Sequence, residues 1–429
     1  MENERNSAQL TIGGVSALDL AEKFGTPLYV YDAEKILKIA SAFVSSLKDN
    51  YGNGLILYAS KAFCCKGIYN LLSELEIGAD VVSGGELFTA KKAGFDISKV
   101  VFHGNNKSYE ELFDAVKYGV KYVVVDSMSE IDILNDICYK FGKKQEILIR
   151  VNVGVEAHTH RYIQTAKIDS KFGFSIENGD AISVIKYANI KSNLIVSGLH
   201  SHIGSQIFEI KSFIVAVEKI AKFYKTVKDK LGLELRALNL GGGFGIRYVE
   251  SEPVFTEKSY YDEIKTICEK VVKEFSAKSL LKPFLMFEPG RAIVGEAGYT
   301  LYTVGTIKEI TGIKTYVSVD GGMFDNPRVA LYSAKYEFVY AADTAKAKDK
   351  IYSVAGKCCE SGDILAENVS LPEVKPGDIL AVRSTGAYHY SMASNYNRNL
   401  TPAVVFIRNG KSYLTVKRQD YKDLIRNDI

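Results

Sequence analysis

LILYASKAF, residues 55–63, is an apolar run that closes on a lysine. A cation at the end of such a run is either a solvated strand-end residue or a group with a task, because lysine is almost never fully buried without a partner. The chain beyond Lys61 decides between the two. Short apolar or β-branched runs recur at ADVVS (79–83), VVFHG (100–104), YVVVD (122–126), EILIRVN (146–152), IVSGLHSH (195–202), ALNLGGG (237–243) and FLMFEPG (284–290), with helix-spaced stretches between them. The first five runs start 21 to 24 residues apart, a length that suits strand, loop and helix units. Nearly continuous apolar strands alternating with helices predict a parallel sheet covered by helices, and eight units predict a (β/α)8 barrel. A doubly wound sheet shares the strand count. The barrel is favoured because Lys61, Asp80, His103, Asp126, Arg150, His202, Gly241 to Gly243 and Glu288 all fall at or just past the C-terminal ends of the runs, where a barrel has a single mouth.

After about residue 295 the pattern changes. YTLYTVGTI, TYVSVDGG, KYEFVYAA, DILAVRS, AVVFIR and SYLTVKR are strand-like runs separated by turn residues, with little helix between them. They predict a C-terminal β-sandwich or β-barrel domain, and TPLYVYD (26–32) is strand-like enough to pair with it. The expected organisation is an N-terminal segment over 1–35, a barrel over 36–285 and a β-domain over 286–429.

A chain of 429 residues with 47% hydrophobic and 24% charged residues is ordinary globular protein, long enough for two domains. A net charge of +3 with dispersed lysines and arginines argues against nucleic acid or an anionic membrane and for small-molecule chemistry. The polar start MENERNSAQL and the lack of an 18-residue apolar stretch predict a cytoplasmic protein. The cysteine pairs Cys64-Cys65 and Cys358-Cys359, with Cys138 and Cys268, match no disulfide or zinc spacing and are expected to be free thiols.

Chemistry concentrates in three of the runs. Gly241, Gly242, Gly243 and Gly245 follow the seventh, where barrels recurrently bind phosphate, but the spacing is not that of a dinucleotide fingerprint. HSHIGSQ offers His200 and His202; no third ligand at useful spacing supports a metal, and the alternative is an imidazole lying against an aromatic cofactor with Ser205 and the Gly204 N–H on an anion. In EPGR, Glu288 emerging from FLMF needs a cation, either Arg291 or a protonated ring nitrogen. Taken together, lysine, stacking histidine, glycine-rich anion site and buried carboxylate meet the needs of pyridoxal 5′-phosphate: lysine forms the Schiff base and the carboxylate keeps the pyridinium protonated.

In this order, YASKAF, GADVVSGGEL, HGNNKS, THRYIQTAKIDSKFGF, HSHIGSQ, NLGGGFG, EPGR, DNPRVALY, CCESGD and GAYHYSMASNYN resemble the meso-diaminopimelate decarboxylases, barrel-type (fold type III) pyridoxal-phosphate enzymes related to ornithine and arginine decarboxylases. The resemblance implies Lys61 as the Schiff-base lysine and His202 as the ring-stacking residue. It implies a phosphate site of Ser205, Gly241, Gly242, Gly243 and the loop Glu288, Pro289, Gly290 and Arg291, with Glu288 at the pyridine nitrogen. It further implies Arg291, Arg328 and Tyr332 on substrate carboxylates, Cys359 as proton donor, Glu360 on the substrate's distal amino end and Tyr388 touching both cofactor and substrate. A homodimer with shared active sites, and decarboxylation of meso-2,6-diaminopimelate to L-lysine as the last step of lysine biosynthesis, are implied by the same resemblance. TAK (165–167) departs from it, where a glycine is expected after the threonine. The competing readings are a decarboxylase of carboxynorspermidine or of arginine or ornithine, and a non-catalytic binding relative, against which the retained Lys61 and Cys359 argue.

Overall fold

A computed structural model describes residues 8–155 and 171–429. The stretch THRYIQTAK (159–167) therefore lies outside the described residues. The chain divides into two compact units, one of residues 38–246 and 255–293, the other of residues 1–37, 247–254 and 294–429.

The first unit is a closed barrel. Its strands are β1 (Gly54–Ala59), β2 (Gly78–Val81), β3 (Val100–Phe102), β4 (Tyr122–Val125), β5 (Gln145–Asn152), β6 (Leu194–His200), β7 (Ala237–Asn239) and β8 (Phe284–Phe287). Each pairs in parallel with the next, and β8 returns to β1 through Leu285↔Gly54, Met286↔Leu55 and Phe287↔Ile56. The eight runs read from the sequence are these eight strands. Leu57, Val101, Val124, Leu148, Ala237 and Met286 fill the interior, so the barrel is a packed core. β6 approaches β7 so closely at Gly198 that a Cβ would lie 1.7 Å from the Ala237 carbonyl oxygen.

Local signals set the connections. After β3, Ser108 caps the helix Tyr109–Tyr118: its side chain accepts the Glu111 N–H while Glu111 reaches back to the Ser108 N–H. That helix ends at Gly119, whose φ of 79° is left-handed. Leu112, Ala115 and Val116, at helical spacing, are its buried face.

The second unit is a mixed sheet. Leu28–Asp32 lies between Gly298–Ile310, with which it is antiparallel, and Ala403–Arg408, with which it is parallel. Lys314–Val319, Lys350–Ala355 and Ile364–Leu371 extend the sheet on one side and Lys411–Val416 on the other. Its core gathers Leu28, Val30, Leu301, Ala381, Val405 and Ile407. No helix among the described residues is long and apolar enough to cross a membrane.

Candidate active site

The C-terminal mouth of the barrel carries the polar groups. Lys61 sits in the 3₁₀ turn Ser60–Ala62 directly after β1, half-buried, and its charge acts on Asp80, Glu86 and His202. The turn is braced by the Tyr69 hydroxyl, 2.7 Å from Ser60 Oγ.

The glycine run after β7 is fixed by neighbours that leave no room for a side chain. A Cβ on Gly241 would lie 2.7 Å from the Ser201 carbonyl oxygen, one on Gly242 2.0 Å from that of Glu288, and one on Gly243 2.2 Å from that of Gly204. Gly241 and Gly243 also have φ of +70° and +105°, which favour glycine. The Gly242 N–H donates to His202 Nδ1 at 3.3 Å. An imidazole that accepts there must be neutral at that nitrogen, and burial, with the charges of Lys61 and Arg150, holds the His202 pKa well below its ordinary value.

Arg291 Nη2 donates to Ser205 Oγ at 2.8 Å, bringing together two of the groups expected to hold an anion. The preceding loop is seated on β1: the Ala59 N–H donates to the Pro289 carbonyl at 3.2 Å, and a Cβ on Gly290 would lie 2.8 Å from that of Ala59.

Glu288, 4% exposed, is surrounded by donors. Asn239 Nδ2 lies 2.6 Å from Oε1, His103 Nε2 2.8 Å from Oε1 and His200 Nε2 3.3 Å from Oε2. The two imidazole rings meet edge to face at 4.7 Å, and Asp80 Oδ1 lies 3.6 Å from His103 Nε2. Burial alone would raise the Glu288 pKa; His103 and His200 reverse this and hold it well below the usual carboxylate range. Burial drives His200 the other way, to about 3, so at neutral pH it gives Glu288 an N–H and not a charge. Burial raises Asp80, the His103 contact opposing it.

The sequence left the His200/His202 pair without further metal-type ligands. The fold instead gathers His103 and Glu288 against His200 from the ends of β3 and β8, with side-chain atoms of the three within 4.8 Å of one another, and their contacts are made to one another and to Asn239. His202 takes a different partner because β6 stops at His200, which ends the strand alternation. The sequence placed His103 and Asp80 at strand ends without giving either a role, and it passed over Asn239. The available signal was a lone amide closing the otherwise apolar run ALN, and the structure buries it fully.

The mouth is framed by a second charged layer. Lys107, with its side chain 1% exposed, approaches Glu130 Oε1 at 2.5 Å and donates to the Gly104 and Val124 carbonyls at 2.6 and 2.8 Å. Glu130 Oε2 accepts the Asp126 N–H at 2.9 Å, and Asp126 Oδ2 is 3.8 Å from Arg150 Nη1.

The remaining expected residues belong to the sheet unit. Buried Arg328 donates from Nε to the Tyr336 hydroxyl at 2.9 Å, and its guanidinium lies 5.2 and 5.3 Å from the ring centres of Tyr332 and Tyr388, within cation–π range. Three groups expected on the substrate are thus gathered there. Tyr388 adopts φ +64°, uncommon for a bulky residue. Cys359 is an exposed free thiol whose backbone N–H donates to Asn397 Oδ1 at 2.7 Å; the adjoining Glu360 is exposed too. Burial, with Asp363 beside it, pushes the neighbouring Cys358 thiol up to about 12.

A parallel barrel whose mouth joins a lysine, a glycine cradle that any Cβ would fill, a Ser–Arg pair and a donor-bound carboxylate is built for a phosphorylated cofactor with a basic ring. Residues 35–295 match the model of the family "pyridoxal-dependent decarboxylase, pyridoxal binding domain". Over 426 residues the chain is 48% identical to diaminopimelate decarboxylase of Bacillus subtilis, covering 99% of this chain and 96% of that one. The crystal structure of diaminopimelate decarboxylase from M. jannaschii superposes with a TM-score of 0.91 at 37% identity, covering 98% of this chain and 96% of that one. That of the Helicobacter pylori enzyme complexed with L-lysine gives 0.86 at 33% identity, covering 95% and 98%. The chain belongs to the diaminopimelate decarboxylase family of pyridoxal-dependent decarboxylases.

Proposed function

We propose that this protein removes CO₂ from the D-configured centre of meso-2,6-diaminopimelate and releases L-lysine. The observation that carries the reading is the meeting of Lys61, the Gly241–Gly243 cradle, the Ser205–Arg291 pair and Glu288 at one barrel mouth, in a chain 48% identical to a diaminopimelate decarboxylase. When bound, pyridoxal phosphate supplies an aldehyde for amines and a ring that accepts the electron pair left by the departing carboxylate. Lys61 is the amine that holds it between turnovers, and Ser205, Arg291 and the glycine cradle hold its phosphate. Neutral His202 would stack on its ring, and anionic Glu288 would pair with its ring nitrogen. Arg328 with Tyr332 and Tyr388 binds a substrate carboxylate, and Glu360 takes the distal ammonium. The Cys359 thiol returns a proton to the carbon that lost CO₂, which balances the reaction.

The shared site of the family extends to this chain as a homodimer in the cytoplasm, in which the Cys359–Glu360 segment of one copy enters the barrel mouth of the other. The test is a substrate panel on the purified protein supplied with pyridoxal phosphate, reading L-lysine and CO₂. Release of both from meso-diaminopimelate, and of little CO₂ from ornithine, arginine or carboxynorspermidine, is expected. CO₂ release from one of those three, with none from diaminopimelate, overturns the substrate assignment.

A further inference from the structure

Glu288 is contacted from three other strands: by His103 at the end of β3, His200 closing β6 and Asn239 closing β7. All three are buried, with His103 4% exposed, His200 1% and Asn239 0%. Two contacts fall on Oε1 and one on Oε2. A carboxylate offers about four acceptor sites, so with two groups crowded on Oε1 and one on Oε2 the cluster leaves capacity on Oε2. A carboxylate held in this way cannot rotate to follow a ligand. It also resists protonation, since every contacting group is a donor or can be one.

We propose that His103 and His200 are positioning residues that lock Glu288 as a carboxylate with acceptor capacity left on Oε2, so that the site selects a ring whose nitrogen carries a proton. Neither imidazole need touch the cofactor for this; they act through Glu288. The inference rests on the reading that Glu288 faces the ring nitrogen. It adds that the selectivity resides in the pair of imidazoles behind it. A merely structural role for the pair, filling the core between β3 and β6, predicts a different outcome, because it gives the ring nitrogen no special status.

The distinguishing probe is the analogue of pyridoxal phosphate in which carbon replaces the ring nitrogen. It keeps the aldehyde and phosphate, so Lys61 and the anion site treat both compounds alike. Dissociation constants of each are measured on the apoprotein by equilibrium dialysis and by the visible band of the bound aldehyde. The unaltered protein should prefer pyridoxal phosphate by roughly 10- to 100-fold, the span of one hydrogen bond to a charged group. In His103→Phe the preference should shrink about tenfold, through weaker binding of pyridoxal phosphate with the carbon analogue held to within about threefold. His103→Gln, which keeps a donor, should retain most of it. His200→Phe supplies the same measurement if His103→Phe does not fold. Equal weakening of both compounds, or an unchanged ratio in His103→Phe and His200→Phe, overturns the positioning role. A ratio near one in the unaltered protein overturns the facing of Glu288 toward the ring nitrogen, and the inference with it.

Discussion

Gly242→Ala adds one methyl where the structure allows none. Its Cβ would stand 2.0 Å from the Glu288 carbonyl oxygen and 2.9 Å from the carbonyl carbon. Ordinary contact begins near 3.4 Å, so something must move by about 1.4 Å. The obstacle is backbone that cannot swing aside: the Glu288 N–H donates to the Gly241 carbonyl at 2.8 Å, and its side chain is held by Asn239, His103 and His200. Overpacking of this kind costs about 1–3 kcal/mol, and a site that cannot relax belongs at the upper end. If the shift displaces the Glu288 carboxylate, the loss of one charge-assisted hydrogen bond, about 1.5–3 kcal/mol, lowers pyridoxal phosphate affinity by roughly 10- to 100-fold. Gly119→Ala is the control. Its φ of +79° strains an alanine but nothing lies within 4 Å of the new Cβ, so it should lose about 1–2 kcal/mol of stability and no affinity. Urea midpoints of the apoproteins and equilibrium dialysis with pyridoxal phosphate separate the two effects. Gly242→Ala binding with unaltered affinity and stability would refute the cradle as drawn.

Lys107→Met strands the buried Glu130 carboxylate and should cost about 3–5 kcal/mol in urea unfolding, much of it recovered on adding Glu130→Gln; additive effects would argue against a coupled pair. Burial raises the Glu263 pKa to about 7 from the ordinary 4.5, so between those values the folded state binds more protons than the unfolded one and stability falls as pH rises. Glu263→Gln should therefore be more stable than the unaltered protein by about 2 kcal/mol at pH 8, allowing for its partial exposure, and by little at pH 5; thermal melts at the two pH values decide. On the proposed dimer with shared sites, mixing Lys61→Ala and Cys359→Ala chains should restore roughly a quarter of full activity, because half the random pairs would carry one intact site. Proven subunit exchange without recovery would count against that site.

The barrel was legible because parallel strands covered on both faces are written as unbroken apolar runs, and such a run needs no distant partner to be recognised. The runs overshoot the strands where polar function begins: ALNLGGG is strand only over Ala237–Asn239, since the left-handed Gly241 leaves the sheet. The lysine of LILYASKAF, the glycine cradle and EPGR could be read one at a time for the same reason, each being a local pattern with a local mechanism. The surroundings of Glu288 could not. Asn239, His103 and His200 reach it from positions 49 to 185 residues away, and only closure of the barrel, β8 onto β1, sets four strand ends around one carboxylate. Register decided likewise that Leu28–Asp32 lies between Gly298–Ile310 and Ala403–Arg408, strands far along the chain. Composition and spacing thus determined the elements and which polar residues stand at their ends, because propensity and burial act over a few residues. Which donor meets which acceptor was decided by tertiary structure, because electrostatic pairing depends on distances of about 3 to 4 Å that sequence separation does not encode.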